Sequence, residues 1–178
     1  LVKAHGVFTM GRSATEATVS FLKRLHPDDR VAVIVFNHKL LTLAEPARVG
    51  DVVEPLSAQI NTLIAEGSTA LYAAVCQAAD MIQAQREADL AANEQRLYGV
   101  VLLSDGDDTV GRPSENQMFA TCLPSHAEAD SFKFFPIAFG DEANTVLLKR
   151  IADVTGGTLF TATPASIERI YQSISAEQ

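Results

Sequence analysis

Three nearly continuous apolar runs constrain the fold of this chain more than any other feature. They are "VAVIVF" at 31–36, "YGVVLLS" at 98–104 and "FKFFPIAF" at 132–139. A strand with one face in water alternates apolar and polar residues, whereas a strand covered on both faces is apolar throughout. The runs are rich in β-branched and aromatic residues and therefore predict buried strands of a sheet with helices on both faces.

Amphipathic helices are predicted between these strands. Residues 13–16 form an S-x-x-E capping box before the first helix. Apolar positions at helical spacing predict a second helix over 53–64, ending near Gly67, and a third that starts close to Thr69. Residues 83–96 are polar and Ala-rich, and we expect a helix end followed by a solvated loop. Short strands are predicted at 40–43 and 158–162, and further helices at 116–123, at 144–154 and from Pro164.

The alternation of strands and helices predicts the fold class. Parallel strands need crossover connections, and these are right-handed and place helices on both faces of the sheet. We therefore expect one domain over 1–178, a three-layer α/β/α, doubly wound, mostly parallel and Rossmann-like structure. Ligands in such sheets bind beyond the carboxyl ends of the strands. Pro136 removes a hydrogen-bond donor and predicts an edge or a bulge at its position.

The charge of the chain restricts its partners. It carries 22 acidic and 14 basic residues, a net charge of −8, and no Lys/Arg cluster. Nucleic acid would lack its usual electrostatic attraction, so we expect no nucleic-acid binding, and a cation or a basic partner suits the charge better. The sequence has no apolar run approaching the roughly 18 residues of a membrane span, so we also expect no direct membrane insertion.

The cysteines and histidines give less information. Cys76 and Cys122 are either two buried thiols or one disulfide, and a disulfide would imply an oxidising compartment. The four histidines are scattered without metal-ligand spacing, which argues against a zinc site.

The acidic loop at 105–109, "DGDDT", follows a buried strand and is the strongest candidate for chemistry. It resembles the first motif of haloacid-dehalogenase-like phosphatases, and that resemblance would make Asp105 the nucleophile and Asp107 the acid/base, with a magnesium ion. The spacing argues against it. About a hundred residues precede the loop, and only about thirty separate it from the later acidic segment 140–144.

A second resemblance accounts for more of the chain. "EGSTALYAAV" and "LLSDGDDT" are similar to the second and third metal loops of von Willebrand factor A domains. Three further segments match other parts of that family in the right order: "DDRVAVIVF", "IAFGDEAN" and "LLKRIADVTGGTLFTAT". Together these matches span residues 13–178, and the closing "SIERIYQSIS" is most similar to bacterial members.

The resemblance implies a metal-ion-dependent adhesion site. In that family an Asp-x-Ser-x-Ser loop, a threonine and an aspartate hold Mg²⁺ or Ca²⁺, and a carboxylate of the protein partner completes the coordination. Thr69 and Asp105 correspond to the threonine and the aspartate. Ser68, Gly106 and Asp107 flank them as candidate ligand-binding residues.

Local structure offers a simpler interpretation of the same residues. Thr69 suits a helix N-cap, and Asp105 suits a turn at a strand end. Asp107 and Asp108 have the pattern of solvated loop carboxylates rather than metal ligands.

The resemblance breaks at the N-terminus, where residues 1–12 form an atypical segment. Alignment of "LVKAHGVFTMG" with the first metal loop puts His5, Val7 and Thr9 at its three ligand positions, and of these only Thr9 has a suitable oxygen. Either the first central strand of the family lies outside this chain, or the metal site has degenerated. A missing strand would expose strand edges, which residues 1–10 would replace imperfectly or which a partner or a second copy would cover, giving a homo-oligomer.

The residues and the resemblance together predict a protein-binding or adhesion module that is not an enzyme. Mg²⁺ or Ca²⁺ would assist binding if the incomplete site retains the ion, and an extracytoplasmic location is favoured by the bacterial resemblance. Two alternatives stay open: an interaction scaffold of the same fold without metal, and the phosphatase.

Overall fold

The computed structural model describes the backbone of residues 4–10, residues 15–63, 69–124 and 132–163, and positions 166, 169, 170 and 173; side chains are described from residue 15 onward, apart from residue 17. The strands are β1 Ala4–Met10, β2 Arg30–Phe36, β3 Leu40–Arg48, β4 Leu97–Ser104, β5 Lys133–Phe139 and β6 Phe160–Ala162. The helices are α1 Thr15–Leu22, α2 Val49–Asn61, α3 Leu71–Ala91, α4 Glu115–Thr121 and α5 Thr145–Thr155.

The six strands form one sheet in the order β3-β2-β1-β4-β5-β6. Only β3 runs antiparallel among these described strands, as the partner of β2. Because the chain winds outward from β1 in both directions, the strand order reverses between β1 and β4, and this point is where doubly wound sheets bind ligands. The predicted fold class is confirmed.

Strand β1 occupies the centre of the sheet, between β2 and β4. Its Phe8 lies opposite Val33 on one side and Val101 on the other. The expectation that the first central strand lies outside the chain is therefore wrong, because residues 4–10 take that place. Between these described strands, the sheet has no gap that a partner would have to fill.

Alternate residues of the buried strands supply two separate cores. Val33 and Val101 belong to a cluster shared with α1 and α2. Ile34 and Leu102 belong to a second cluster, on the opposite face, shared with α3, α4 and α5. Successive strand residues point to opposite faces, so a strand buried on both faces must be apolar at every position. This is why the continuous runs predicted the strands correctly.

Helix α3 extends to Ala91. The predicted helix end and loop therefore both fall within 83–96, and the loop is confined to residues 92–96. The C-terminal turn of α3 carries Asp89, which is 3% exposed. Asp89 accepts hydrogen bonds from Tyr98 (3.0 Å) and Gln85 (2.8 Å) and lies 3.7 Å from an Arg30 nitrogen. These tertiary contacts fix the C-terminal end of α3, although the polar composition of residues 83–96 suggested a solvated surface.

Pro136 lies in β5 between two strands, yet its missing N–H leaves no gap in the hydrogen bonding. Strand β6 pairs only with residues 137–139 of β5. Before that point the edge is covered by α5, where the buried Thr155 hydroxyl accepts the Phe134 N–H at 3.0 Å. Pro136 lies between the part of β5 that α5 covers and the part that pairs with β6. The strand therefore has a short unpaired edge at Pro136, as predicted.

Cys76 on α3 and Cys122 at the C-terminal end of α4 form a disulfide. Of the two alternatives left open by the sequence, the structure has the bridge. It ties the C-terminal end of α4 to the second turn of α3. Among the described residues, no helix is both long and apolar enough to cross a membrane.

Candidate functional site

Four loops meet at the carboxyl edge of the parallel strands. The turn after β2 supplies the Asn37 carbonyl, which accepts the Ala70 N–H at 2.7 Å just before α3. The acidic loop follows β4, and the loop that begins at Gly140 follows β5. Residues that lie far apart in sequence are thereby brought to the switch point of the sheet.

Thr69 is held against the acidic loop by two hydrogen bonds with one residue. Its N–H donates to the Thr109 hydroxyl at 2.7 Å, and its carbonyl accepts the Thr109 N–H at 2.9 Å. Thr109 lies four residues beyond Asp105, so these two hydrogen bonds place Thr69 and Asp105 at the same edge of the sheet. The N-cap position of α3 is Ala70, without a side-chain cap bond, so the simpler interpretation of Thr69 as the helix N-cap is wrong.

Asp108 performs the capping instead. One carboxylate oxygen accepts the Tyr72 N–H in the first turn of α3 at 2.9 Å. The other accepts the N–H groups of Val110 (3.0 Å) and Gly111. Asp108 is half-buried. The expectation of a solvated carboxylate is therefore wrong for this residue, because its charge is satisfied by three backbone donors.

Asp105 stands immediately after the last residue of β4 and is exposed. The preceding residue, Ser104, is buried and donates its hydroxyl to the Gly106 carbonyl at 3.0 Å. This bond closes a tight turn at the end of the strand. Gly106 has open space where a Cβ would lie.

Asp107 is exposed but not merely solvated. Its carboxylate accepts a hydrogen bond from the Asn144 side-chain NH2 group, while the Asn144 side-chain oxygen Oδ1 accepts the Leu147 N–H at 2.9 Å and caps α5. Asp107 therefore links the acidic loop to the first turn of α5, and one of its oxygens is engaged in that role.

The three candidate residues of the N-terminal segment lie within a strand. Thr9 lies in β1, one residue before its end, where it pairs with Ile34 and Leu102. His5 and Val7 lie deeper in the strand, and at about 3.3 Å per residue His5 is roughly 16 Å from the carboxyl edge. These three positions form a strand rather than a metal loop. Ser68, and residues 11–14 that follow β1, lie outside the described residues.

The electrostatic field at this edge is negative. Burial raises the pKa of the Tyr72 hydroxyl, and the carboxylates of Glu115, Asp108 and Asp107 raise it further. Carboxylates gathered at one edge raise the local concentration of cations. The described residues contain no group of three or more His, Cys, Asp or Glu side chains arranged to hold a metal ion. Asp105 and Thr69 supply hard oxygen donors, the type that Mg²⁺ and Ca²⁺ take, and Mg²⁺ commonly keeps several waters.

Comparison with known proteins settles the family. The sequence model of the von Willebrand factor type A domain matches residues 7–107, a segment that contains the second half of β1, the strands β2 to β4, Thr69 and Asp105. This chain belongs to the von Willebrand factor type A family. The match includes the acidic loop through Asp107, so the family accounts for the segment that also resembled a phosphatase motif.

Individual relatives of this von Willebrand factor type A domain agree with the family match. An uncharacterised protein of Synechocystis, sll0103, is 29% identical over 151 residues, which cover 80% of this chain and 31% of that protein. The chain thus spans about a third of the length of that relative.

Solved structures show the same fold. A von Willebrand factor type A protein from Catenulispora acidiphila has a TM-score of 0.78 at 18% identity, covering 98% of this chain and 42% of its own. Proximal thread matrix protein 1 from the mussel byssus, with a zinc-occupied MIDAS motif, has a TM-score of 0.70 at 12% identity, covering 97% of this chain and 47% of its own.

Two residues that organise the site, Asp108 and Ser104, were missed by reasoning from the sequence. For Asp108 a local signal exists, since an Asp followed by a turn ending in Gly111 is a pattern in which the side chain accepts later N–H groups. Its bond to Tyr72 has no local signal, because the two residues are 36 positions apart.

Proposed function

We propose that this domain binds a protein partner at the carboxyl edge of its sheet, around Asp105 and Thr69. The family commonly mediates protein interactions. The observation that carries the proposal for this chain is the pair of hydrogen bonds between Thr69 and Thr109. These two hydrogen bonds fix the positions of the two loops that bear the candidate oxygen donors relative to each other. Preorganised donors lower the entropic cost of binding.

A divalent cation, Mg²⁺ or Ca²⁺, would assist this binding. Asp105 and Thr69 would hold it, and the ion would offer an open position to a carboxylate of the partner. Asp105 suits this role by its position, since it is exposed and follows the last residue of β4 directly. The ion supplies positive charge that attracts an acidic group to an otherwise negative edge.

Paramagnetic Mn²⁺ provides the test of where the ion binds. Traces of Mn²⁺ broaden the NMR signals of nearby amides, so a site at this edge broadens residues 69 and 105–109 before the rest of the domain. Asp105→Ala should abolish the selective broadening, and Asp153→Ala, an exposed position on α5, should leave it unchanged. Broadening spread evenly over exposed carboxylates in all three proteins would contradict the proposal.

We further propose that the domain is a binding module without enzymatic activity. One oxygen of Asp107 and both oxygens of Asp108 accept hydrogen bonds that hold the loop in place, so the carboxylates next to Asp105 have structural roles. Hydrolysis of p-nitrophenyl phosphate in the presence of Mg²⁺ tests this directly. Turnover that disappears in Asp105→Asn would favour the phosphatase, whereas equal background rates in both proteins support a binding module.

An extracytoplasmic location is proposed from the Cys76–Cys122 disulfide, because such bridges persist in oxidising compartments. A thiol titration of the denatured protein, purified with alkylating agent present, should find no free thiol at these positions. Two reactive thiols in protein isolated from its native host would contradict it.

A further inference from the structure

A groove between β3 and α3 lies apart from the acidic loop. It has a volume of about 450 Å³ and is lined by Glu45 and Pro46 of the edge strand and by Gln77, Asp80, Met81, Ala84 and Gln85 of the helix. We propose that this groove binds a Lys or Arg side chain of an extended segment in a partner protein, as a second contact surface that goes beyond the proposed site at Asp105.

An irregularity in β3 directs Glu45 into the groove. Thr42 faces α3, since its hydroxyl accepts the Gln77 amide at 2.7 Å. Leu43 and Ala44, two consecutive residues, both pack against the core on the opposite face. The register of β3 with β2 shifts in this region, and such a bulge reverses the alternation of side chains that follow it. Glu45 therefore faces α3, where regular alternation would have directed it away.

The groove pairs two carboxylates with an apolar floor. Glu45 and Asp80 are exposed, and among the described residues no Lys, Arg or His lies within salt-bridge distance of either. Met81, Ala84 and Pro46 supply apolar surface between them. A long basic side chain matches this arrangement, because its methylene stem packs on apolar surface while its charged head reaches a carboxylate. The net charge of −8 adds attraction for a basic segment.

Pro46 also indicates how the segment lies. It stands in the edge strand β3, where proline and bulges prevent a further strand from pairing along the full edge. The partner therefore contacts the groove mainly through side chains, and an additional strand of the sheet is not formed. This also argues against a homo-oligomer built by pairing of β3 edges.

NMR titration with the peptide acetyl-Ala-Leu-Lys-Leu-Ala-amide tests the proposal. Saturable shifts should appear at residues 45, 80, 81 and 84. Because exposed ion pairs contribute modestly to binding, the double variant Glu45→Gln/Asp80→Asn should raise the dissociation constant about ten-fold. The same peptide with acetylated lysine should bind no better to wild type than the lysine peptide binds to the double variant.

The matched control is Asp51→Asn/Glu54→Gln. These residues are exposed on α2, on the opposite face of the sheet, and the substitutions remove the same charge. Equal weakening in the two double variants, or shifts that do not map to the groove, would overturn the proposal. Asp105→Ala should leave peptide affinity unchanged, so failure at the carboxyl edge and failure at the groove are distinguishable.

Discussion

Asp108 in the loop after β4 accepts the backbone N–H of Tyr72 in the first turn of α3, at 2.9 Å, although 36 positions separate the two residues. The start of α3 is therefore capped by a carboxylate from another loop, which also accepts two N–H groups of its own loop. One side chain therefore fixes both the start of α3 and the conformation of the loop after β4.

Asp108→Ala should lower the free energy of unfolding by about 1–3 kcal/mol, because it removes a helix cap and leaves backbone donors without their acceptor. Urea unfolding followed by circular dichroism measures this. Asp141→Ala, which removes an exposed carboxylate from the turn after β5, is the control and should change stability by less than about 0.5 kcal/mol. Equal effects in the two variants would show that Asp108 acts through general charge alone.

Asp89→Ala should be at least as damaging, by about 2–4 kcal/mol, because it removes a buried carboxylate that accepts the Tyr98 hydroxyl and leaves the buried Arg96 with only the exposed Glu94 as its partner among the described residues. Asp89 and Arg96 are each 4% exposed in their side chains and lie 3.6 Å apart. Urea unfolding at neutral pH tests this, with Glu87→Ala on the exposed face of the same helix as the control. A loss for Asp89→Ala no larger than the control's would contradict the account of the helix end.

The raised pKa of Tyr98 predicts how the free energy of unfolding changes at alkaline pH. Burial, the hydrogen bond to Asp89 and the charge of Asp89 raise the pKa of Tyr98 to about 12 from 10.0. The folded state thus keeps a proton that the unfolded state loses, so this contribution is complete below pH 10 and declines as pH rises from 10 to about 12. Urea unfolding across this range should show a smaller alkaline loss for Tyr98→Phe than for wild type. Parallel curves for the two proteins would refute the coupling.

Gly157→Ala should be severely destabilising, by about 3 kcal/mol or more, or should prevent folding. A Cβ at this position would lie 1.8 Å from the Phe134 carbonyl oxygen, where the end of α5 passes the edge of β5. Gly106→Ala is the control, since nothing lies within 4 Å of the position its Cβ would take. Thermal unfolding of both variants measures the difference, and similar melting temperatures would contradict the close packing.

The sequence predicted the parts of the fold that depend on local pattern. Continuous apolar runs located β2, β4 and β5, since burial on both faces requires an apolar residue at every position. The family resemblance placed Thr69 and Asp105 at one edge of the sheet. Strand β1 was harder to predict, because polar residues such as His5 interrupt its pattern. Its place follows from pairing with β2 and β4, which are distant in sequence.

The details of the site depend on contacts between loops and could not be read locally. The acidic residues 105, 107 and 108 look equivalent in sequence, yet Asp107 binds Asn144, Asp108 caps α3, and Asp105 lies exposed at the strand end. The bulge that directs Glu45 toward α3 likewise depends on the register of β3 against β2. The tertiary structure therefore gives the three carboxylates different surroundings and different roles.

The proposed function requires that Asp105 and Thr69 hold a divalent cation at the carboxyl edge of the sheet. Thermal unfolding of wild type and Asp105→Ala during titration with Mg²⁺, Ca²⁺ and Mn²⁺ tests it most directly, because an ion that binds the folded state raises the melting temperature with its concentration. We predict a rise in wild type that is absent in Asp105→Ala. A flat response in both proteins, or an equal rise in both, would contradict the claim.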